Sequence, residues 1–235
     1  MSRRELLGLC AASYFSVQTR ERLTPAARAA DHLLLGIADL DKGIEWVEKT
    51  TGVKAVIGGS HPGVGTRNAL VALGDRRYLE IIAPDPAQTS YASQFDVRKL
   101  PEPRLITWAA ATTGIAALAA KARDAGQQTF GPRDGSRARP DGKLLKWRSL
   151  GVQSKLAADG IEPIPFFIEW AADSVHPSQD SPRGCRLLSL ELEHPDPAAV
   201  RKMLGSLGIS IEVKQSGSAR LKAVLDTPKG KVTLS

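Results

Sequence analysis

The sequence predicts an α+β fold built from one β-α-β-β-β module that recurs along the chain. Three observations carry this. Strand-like runs, a capped helix and a glycine stop follow one another in the same order three times. The three helical stretches, counted from cap to glycine, are 13, 13 and 12 residues long. Within the strands apolar and polar residues alternate, which sets one face of each beneath its helix.

The first module spans 31–86. Residues 31–37 read as a strand, with Leu33, Leu35 and Ile37 on the helix side and His32, Leu34 and Gly36 opposite. Asp39 caps a helix with Leu40, Ile44 and Val47 at helical spacing, and Gly52 ends it. Strands 54–57, 68–73 and 78–82 follow, separated by Gly58, Gly59, Gly74 and Asp75. In the second module, 104–173, strand 105–111 leads to a helix capped by Thr113 and stopped at Gly126. The third module, 185–235, has strand 187–193, a cap at Asp196, Pro197 at the first helical position and a stop at Gly208. There Leu188, Leu190 and Leu192 share one face, and Ser189, Glu191 and Glu193 the other. Modules one and two make one domain over 31–180. The third extends a sheet within the chain or pairs with a second subunit, and a homodimer is expected.

Residues 1–30 stand apart as a leader. Arg3 and Arg4 precede an apolar stretch from Leu6 to Val17, and Ala27-Arg28-Ala29 offers small residues for a signal peptidase. The pattern is that of twin-arginine export to the periplasm, with a mature chain starting near Ala30. An amphipathic leader on a cytoplasmic protein is the alternative. Cys10 and Cys185 lie far apart, which leaves no disulfide framework or zinc-cysteine site. The net charge is +7, with +3 in residues 1–30 and +4 in 131–148. Charge confined to a tail and a loop does not describe a nucleic-acid-binding face. No apolar run is long enough to span a membrane, so no membrane partner is expected after processing.

Three stretches of the first module carry a family resemblance: Asp31-His32-Leu33-Leu34-Leu35-Gly36-Ile37, Gly59-Ser60-His61-Pro62-Gly63-Val64-Gly65-Thr66-Arg67-Asn68, and Arg77-Tyr78-Leu79-Glu80-Ile81-Ile82. Together they resemble the glyoxalase-like branch of the vicinal-oxygen-chelate superfamily (glyoxalase, bleomycin resistance, dioxygenase). The resemblance covers residues 31 to about 200. It implies two modules pairing into a cupped half-barrel that often binds a divalent metal (Zn, Fe, Mn or Ni) through the first and last strands of both modules. His32 and Glu80 hold those positions in the first module. With Thr113 aligned on Asp39, Ile106 and Glu169 hold them in the second, so one ligand position is apolar. The fold alone does not fix the reaction.

The candidate residues each have two readings. His32, Glu80 and Glu169 form a metal site suited to a borderline-hard ion, or a His–Glu hydrogen bond in a metal-free pocket. His61, on a glycine-rich loop with Asn68 just beyond, is a catalytic acid–base group aimed into the pocket, or an exposed turn residue. The insertion 131–142 is a binding lid whose Arg137 and Arg139 clamp an anion, or a solvated turn. Trp108 and Trp147 wall the pocket, or sit in the core. His176 and His194 precede prolines and shape loops. The leading expectation is a metal-assisted lyase, isomerase or dioxygenase on a small oxygenated anion. The alternative is a metal-free protein that binds or sequesters a small molecule.

Overall fold

The computed structural model describes residues 22–139 and 141–235; Arg3, Arg4 and Cys10 of the leader lie outside them. The described residues begin with β1 (Thr24–Pro25) and one helical turn, α1 (Ala26–Ala29). The first module comprises β2 (Ala30–Gly36), α2 (Leu40–Thr51), β3 (Val56–His61), β4 (Thr66–Ala72) and β5 (Tyr78–Pro84). The second comprises β6 (Arg104–Ala111), α3 (Ile115–Asp124), β7 (Thr129–Ala138), β8 (Leu144–Val152) and β9 (Phe166–Trp170). The third comprises β10 (Arg186–His194), α4 (Pro197–Ser206), β11 (Ile209–Ser210), β12 (Glu212–Gln215), β13 (Arg220–Thr227) and β14 (Gly230–Leu234).

The helices are punctuated much as their sequences require. The Asp39 carboxylate accepts the backbone N–H groups of Asp41 and Lys42, and Asp196 accepts that of Ala199. Gly52, Gly126 and Gly208 all take left-handed conformations, with φ of 82°, 78° and 80°. The second module departs. Its N-cap is Gly114 rather than Thr113, and the Thr112 hydroxyl accepts the Gly114 N–H.

Modules one and two share an eight-stranded curled sheet in the order β3-β4-β5-β2-β6-β9-β8-β7. The first strands, β2 and β6, lie antiparallel at its centre, each flanked by the parallel last strand of its own module. The N-caps Asp39 and Gly114 are 75 residues apart, as are the paired Leu33 and Trp108, so exchanging the modules about that pair carries His32 onto Thr107. Leu34 pairs with Glu80, and its counterpart Ala109 pairs with Phe166. The same exchange therefore carries Glu80 onto Phe166.

This register corrects the expected alignment at two positions. Ile106 is an extra residue opposite the Leu34–Leu35 step, a β-bulge. It shifts the parity of the rest of β6, so that Thr107, not Ile106, stands for His32. Trp108 is turned into the main core, fully buried, with its indole N–H on the Pro163 carbonyl. Of its two readings, the core one holds.

Two apolar clusters flank the sheet. The larger lies under the helices and takes in the inner face of the third module. The smaller fills one end of the concave side, where Leu34, Ile82, Val97 and Ile106 gather with Phe95 and Leu100. Gly36 permits this, because a Cβ there would come within 3.0 Å of Leu100 and Val97. The expected lid is a hairpin instead: the basic segment forms β7 and β8, paired from Thr129–Val152 to Ala138–Leu144.

The third module forms its own sheet, β12-β10-β13-β14. Leu190 and Leu192 are buried as their parity requires, but a register shift between Leu187 and Ser189 turns Leu187 inward and leaves Leu188 at the surface. The candidate cleavage segment is part of the packed structure. Thr24 donates to the Gly208 carbonyl, β1 pairs with β11, and Ala26 is buried. Among the described residues no helix is long and apolar enough to cross a membrane.

Candidate functional site

The concave face of the first module carries a buried polar cluster. β2 supplies His32, β3 His61, β4 Asn68 and β5 Glu80. Strand alternation brings them together, since Asn68 faces Ile82 and Leu70 faces Glu80 across the β4–β5 ladder. The sequence put His32 and Glu80 on one face and His61 and Asn68 near the pocket, but expected Glu169 where the structure brings His61 and Asn68 to Glu80.

Hydrogen-bond chemistry fixes most protons in the cluster. The Asn68 amide nitrogen lies 2.7 Å from Glu80 Oε1 and 3.2 Å from His61 Nε2. The carboxylate can only accept, so the nitrogen is the donor and His61 Nε2 accepts. The His61 proton is then on Nδ1, 2.9 Å from Thr66 Oγ1. His32 donates Nδ1–H to Asp31 at 2.7 Å. Both imidazoles thus present Nε2 to Glu80, from 3.4 Å for His32 and 3.5 Å for His61. Glu80 can only accept, so a proton held on either facing nitrogen is stabilised by the carboxylate.

Burial would raise the Glu80 carboxyl, but the neighbouring His61 and His32 and the Asn68 amide hold it below the ordinary range. Burial pushes the His61 imidazole below its usual value; Glu80 pulls it back up and Arg137 pushes it further down. His61 is therefore neutral at pH 7, an acceptor in waiting. It is also the most open member, its side chain 19% exposed against 4% for His32 and 8% for Glu80.

Arg137 reaches the cluster from the far edge of the sheet. Its Nη1 donates to the Gly58 carbonyl of β3, so the outermost strands β7 and β3 are tied together. The guanidinium is buried and its charge acts on Glu80 and His61. A groove of about 180 Å³ beside it is lined by Gly58, Leu70, Arg137 and Leu145.

Arg139, also on that groove, is taken up by ion pairs with Asp180 and Asp141. No two-arginine clamp forms. Trp147 packs on Trp170, ring centroids 5.6 Å apart, and lines a separate, larger groove.

Glu169 does not join His32 and Glu80. Phe166 sets its edge against the His32 ring on the concave side, so Glu169, three residues on, points to the other face and pairs with Arg148. The family's two-module ligand pattern is thus half filled, with Thr107 and Phe166 in the second half. Among the described residues no set of three His, Cys, Asp or Glu side chains is arranged to hold a metal ion. The donor set does not fit the expected metal.

Sequence reasoning missed the support around His32. Tyr78 stacks on its ring at 4.5 Å. Asp31 also receives Trp170 Nε1 at 3.0 Å and His176 Nε2 at 3.1 Å. Burial would raise the Asp31 carboxyl, but its hydrogen bonds from His176 and His32 keep it far below the carboxylate range. The serine two residues beyond His176 was the one local hint, because it can turn the ring inward.

Comparisons agree with this architecture. The sequence profile of the family described as Glyoxalase-like domain matches residues 30–208. A solved hypothetical protein from Staphylococcus aureus superposes with a TM-score of 0.65 at 17% identity, covering 81% of this chain and 87% of that one. Methylmalonyl-CoA epimerase from Mycobacterium tuberculosis gives 0.42 at 21% identity, over 63% of this chain and 89% of that one. The Streptomyces coelicolor epimerase gives 0.44 at 22%, over 64% and 99%. No curated protein matches the sequence.

Proposed function

Since the chain belongs to the glyoxalase-like domain family, we propose that it is a proton-transfer enzyme, an isomerase or lyase, acting on a small oxygenated anion. One observation carries this reading. Two imidazole Nε2 atoms face one buried carboxylate in a cup whose most open member is a neutral histidine. Buried charge with unshared lone pairs costs stability, and such arrangements recur where a group must change protonation.

In the proposed step His61 Nε2 takes a proton from a carbon next to a carbonyl. The C–H electron pair moves to the carbonyl oxygen, forming an enolate. Glu80 stabilises the new imidazolium, and the Arg137 charge stabilises the enolate. Return of the proton to another position gives an isomer; loss of a leaving group from the neighbouring carbon gives a lyase product.

The test is solvent exchange. Protein in D2O is given 2-oxo acids, 2-hydroxy acids and acyl thioesters, and loss of the α-proton signal is followed by NMR. Exchange accelerated by the protein and abolished by Glu80→Gln is expected. Compounds that bind without exchange would favour the second reading, a ligand-sequestering protein, which the inert Thr107 and Phe166 of the second half support.

Export is proposed with one refinement. A cut after Ala29 would remove β1 and the buried Ala26. N-terminal sequencing of exported protein is expected to place the mature terminus ahead of Thr24; a terminus at Ala30 on folded protein would refute this.

A further inference from the structure

We propose that Asp31, clamped by Trp170 and His176, is the positioning residue that holds His32 by its Nδ1–H and keeps its Nε2 facing Glu80. The inference rests on the proton-transfer reading above but is argued from separate groups.

Each hydrogen in this network can be assigned from partners that have no choice. The Ser178 backbone N–H, which can only donate, lies 3.2 Å from His176 Nδ1, and the Ser178 hydroxyl, 2.9 Å away, adds a second donor to that nitrogen. His176 therefore carries its proton on Nε2, which it donates to Asp31 Oδ2 at 3.1 Å. The Trp170 indole can only donate, and it meets the same oxygen at 3.0 Å. With Oδ2 committed to two N–H groups, Oδ1 is left for His32 Nδ1 at 2.7 Å. His32 cannot turn over without placing a lone pair against a carboxylate, and Tyr78 and Phe166 hold its ring from face and edge. A carboxylate behind an imidazole in this way sets its tautomer and supports the cation it becomes.

The clamp draws on three parts of the chain. Asp31 is in the first module, Trp170 ends the last strand of the second, and His176 lies in the segment leading to the third. The side chain of His176 is wholly buried. The second module thus lacks the polar pair of the first, yet its end holds that pair in place.

The same logic assigns His194. The Asp196 backbone N–H donates to its Nδ1, which leaves Nε2–H for the Leu156 carbonyl at 2.8 Å. The four histidines should therefore divide evenly: His32 and His61 with the proton on Nδ1, His176 and His194 with it on Nε2.

Long-range ¹H–¹⁵N NMR of the imidazoles in the full chain, without ligand, reads this directly. The expected result is that two-and-two pattern, with Asp31→Asn moving His32 toward the Nε2–H tautomer and leaving His61 and His194 unchanged. The α-proton exchange rate should fall about a hundredfold or more in that variant, by analogy with other orienting carboxylates. Trp170→Phe keeps the ring and removes one donor. It should shift the His32 signals and slow exchange less, which keeps the test available where Asp31→Asn does not fold. His32 found with its proton on Nε2 in the native protein, or unmoved in both variants, overturns the proposal. Correct tautomers in a protein that exchanges no α-proton would instead sink the proton-transfer reading and leave the positioning intact.

Discussion

The two modules of the eight-stranded sheet have the same topology and nearly opposite chemistry. On the concave side the first presents His32, His61, Asn68 and Glu80, whereas the register-equivalent positions of the second begin with Thr107 and Phe166. The second module serves the first from a distance. Arg137 ties its outer strand to β3, Phe166 walls His32, and Trp170 anchors Asp31. A duplicated fold need not use its symmetry twice; here one copy holds the reacting groups and the other holds that copy in shape.

The largest effect expected from breaking this division is in the core. Trp108→Ala should lower unfolding free energy by about 4 kcal/mol in urea titrations, since a fully buried indole is removed from packed surroundings. Trp147→Ala, on the half-buried concave rim, should cost about 1 kcal/mol. Equal losses would mean that the bulge at Ile106 does not set the faces as described. Next comes the tie between edges. Arg137→Ala leaves the Gly58 carbonyl without its charged donor and should cost about 2 kcal/mol. Arg139→Ala removes only surface ion pairs and should stay within about 0.5 kcal/mol.

Acid should act more gently, through two groups of the first module. The folded-state pKa of Asp31 is depressed, so its contribution is present above the unfolded value of about 3.8 and is lost as pH falls below it. His61 is also depressed, so its contribution is present above about 6.5 and declines as pH drops through that value. Stability should rise with pH from 3 to 7, and Asp31→Asn should flatten the part of that curve below pH 4. An unchanged slope would remove Asp31 from the account. The smallest effect belongs to Glu169. Its partner Arg148 is about half exposed, and Glu169→Gln keeps the side-chain shape, so stability should change by less than about 1 kcal/mol. Elemental analysis of purified protein should find zinc, iron, manganese and nickel below one equivalent; a full equivalent lost in Glu169→Gln would restore the ligand set that the sequence suggested.

Much of this was legible in residue order. Alternation alone put His32 and Glu80 on one face, and Asp39, Asp196 and the three glycines marked helix ends that the structure reproduces. What misled was counting across the second module. A bulge at Ile106 and a cap displaced to Gly114 moved the assignments in β6 by one position, and the counterpart of Glu80 moved by three, from Glu169 to Phe166. Parity has a period of two, so a one-residue error exchanges core for pocket, as Trp108 did. The hairpin of β7 and β8 was hidden because it is an arm with exposed, charged strands, rich in the Gly and Pro that usually signal a loop. Asp31 and His176 were out of reach for another reason. Their contact joins residues 145 positions apart, and no local pattern encodes it.

The short parallel pair of β1 and β11 bears on how the chain reaches this state. Thr24 meets Ile209 in that pair, so the first described strand is completed by a segment made long after it. During synthesis, β1 must wait without a partner while two modules fold behind it. Closing a loop of roughly 185 residues costs only about 1 kcal/mol more than closing one of 50, because the entropy grows with the logarithm of length. The delay is therefore one of time rather than of equilibrium. Until the third module emerges, Ala26 has no strand β11 to close over its turn.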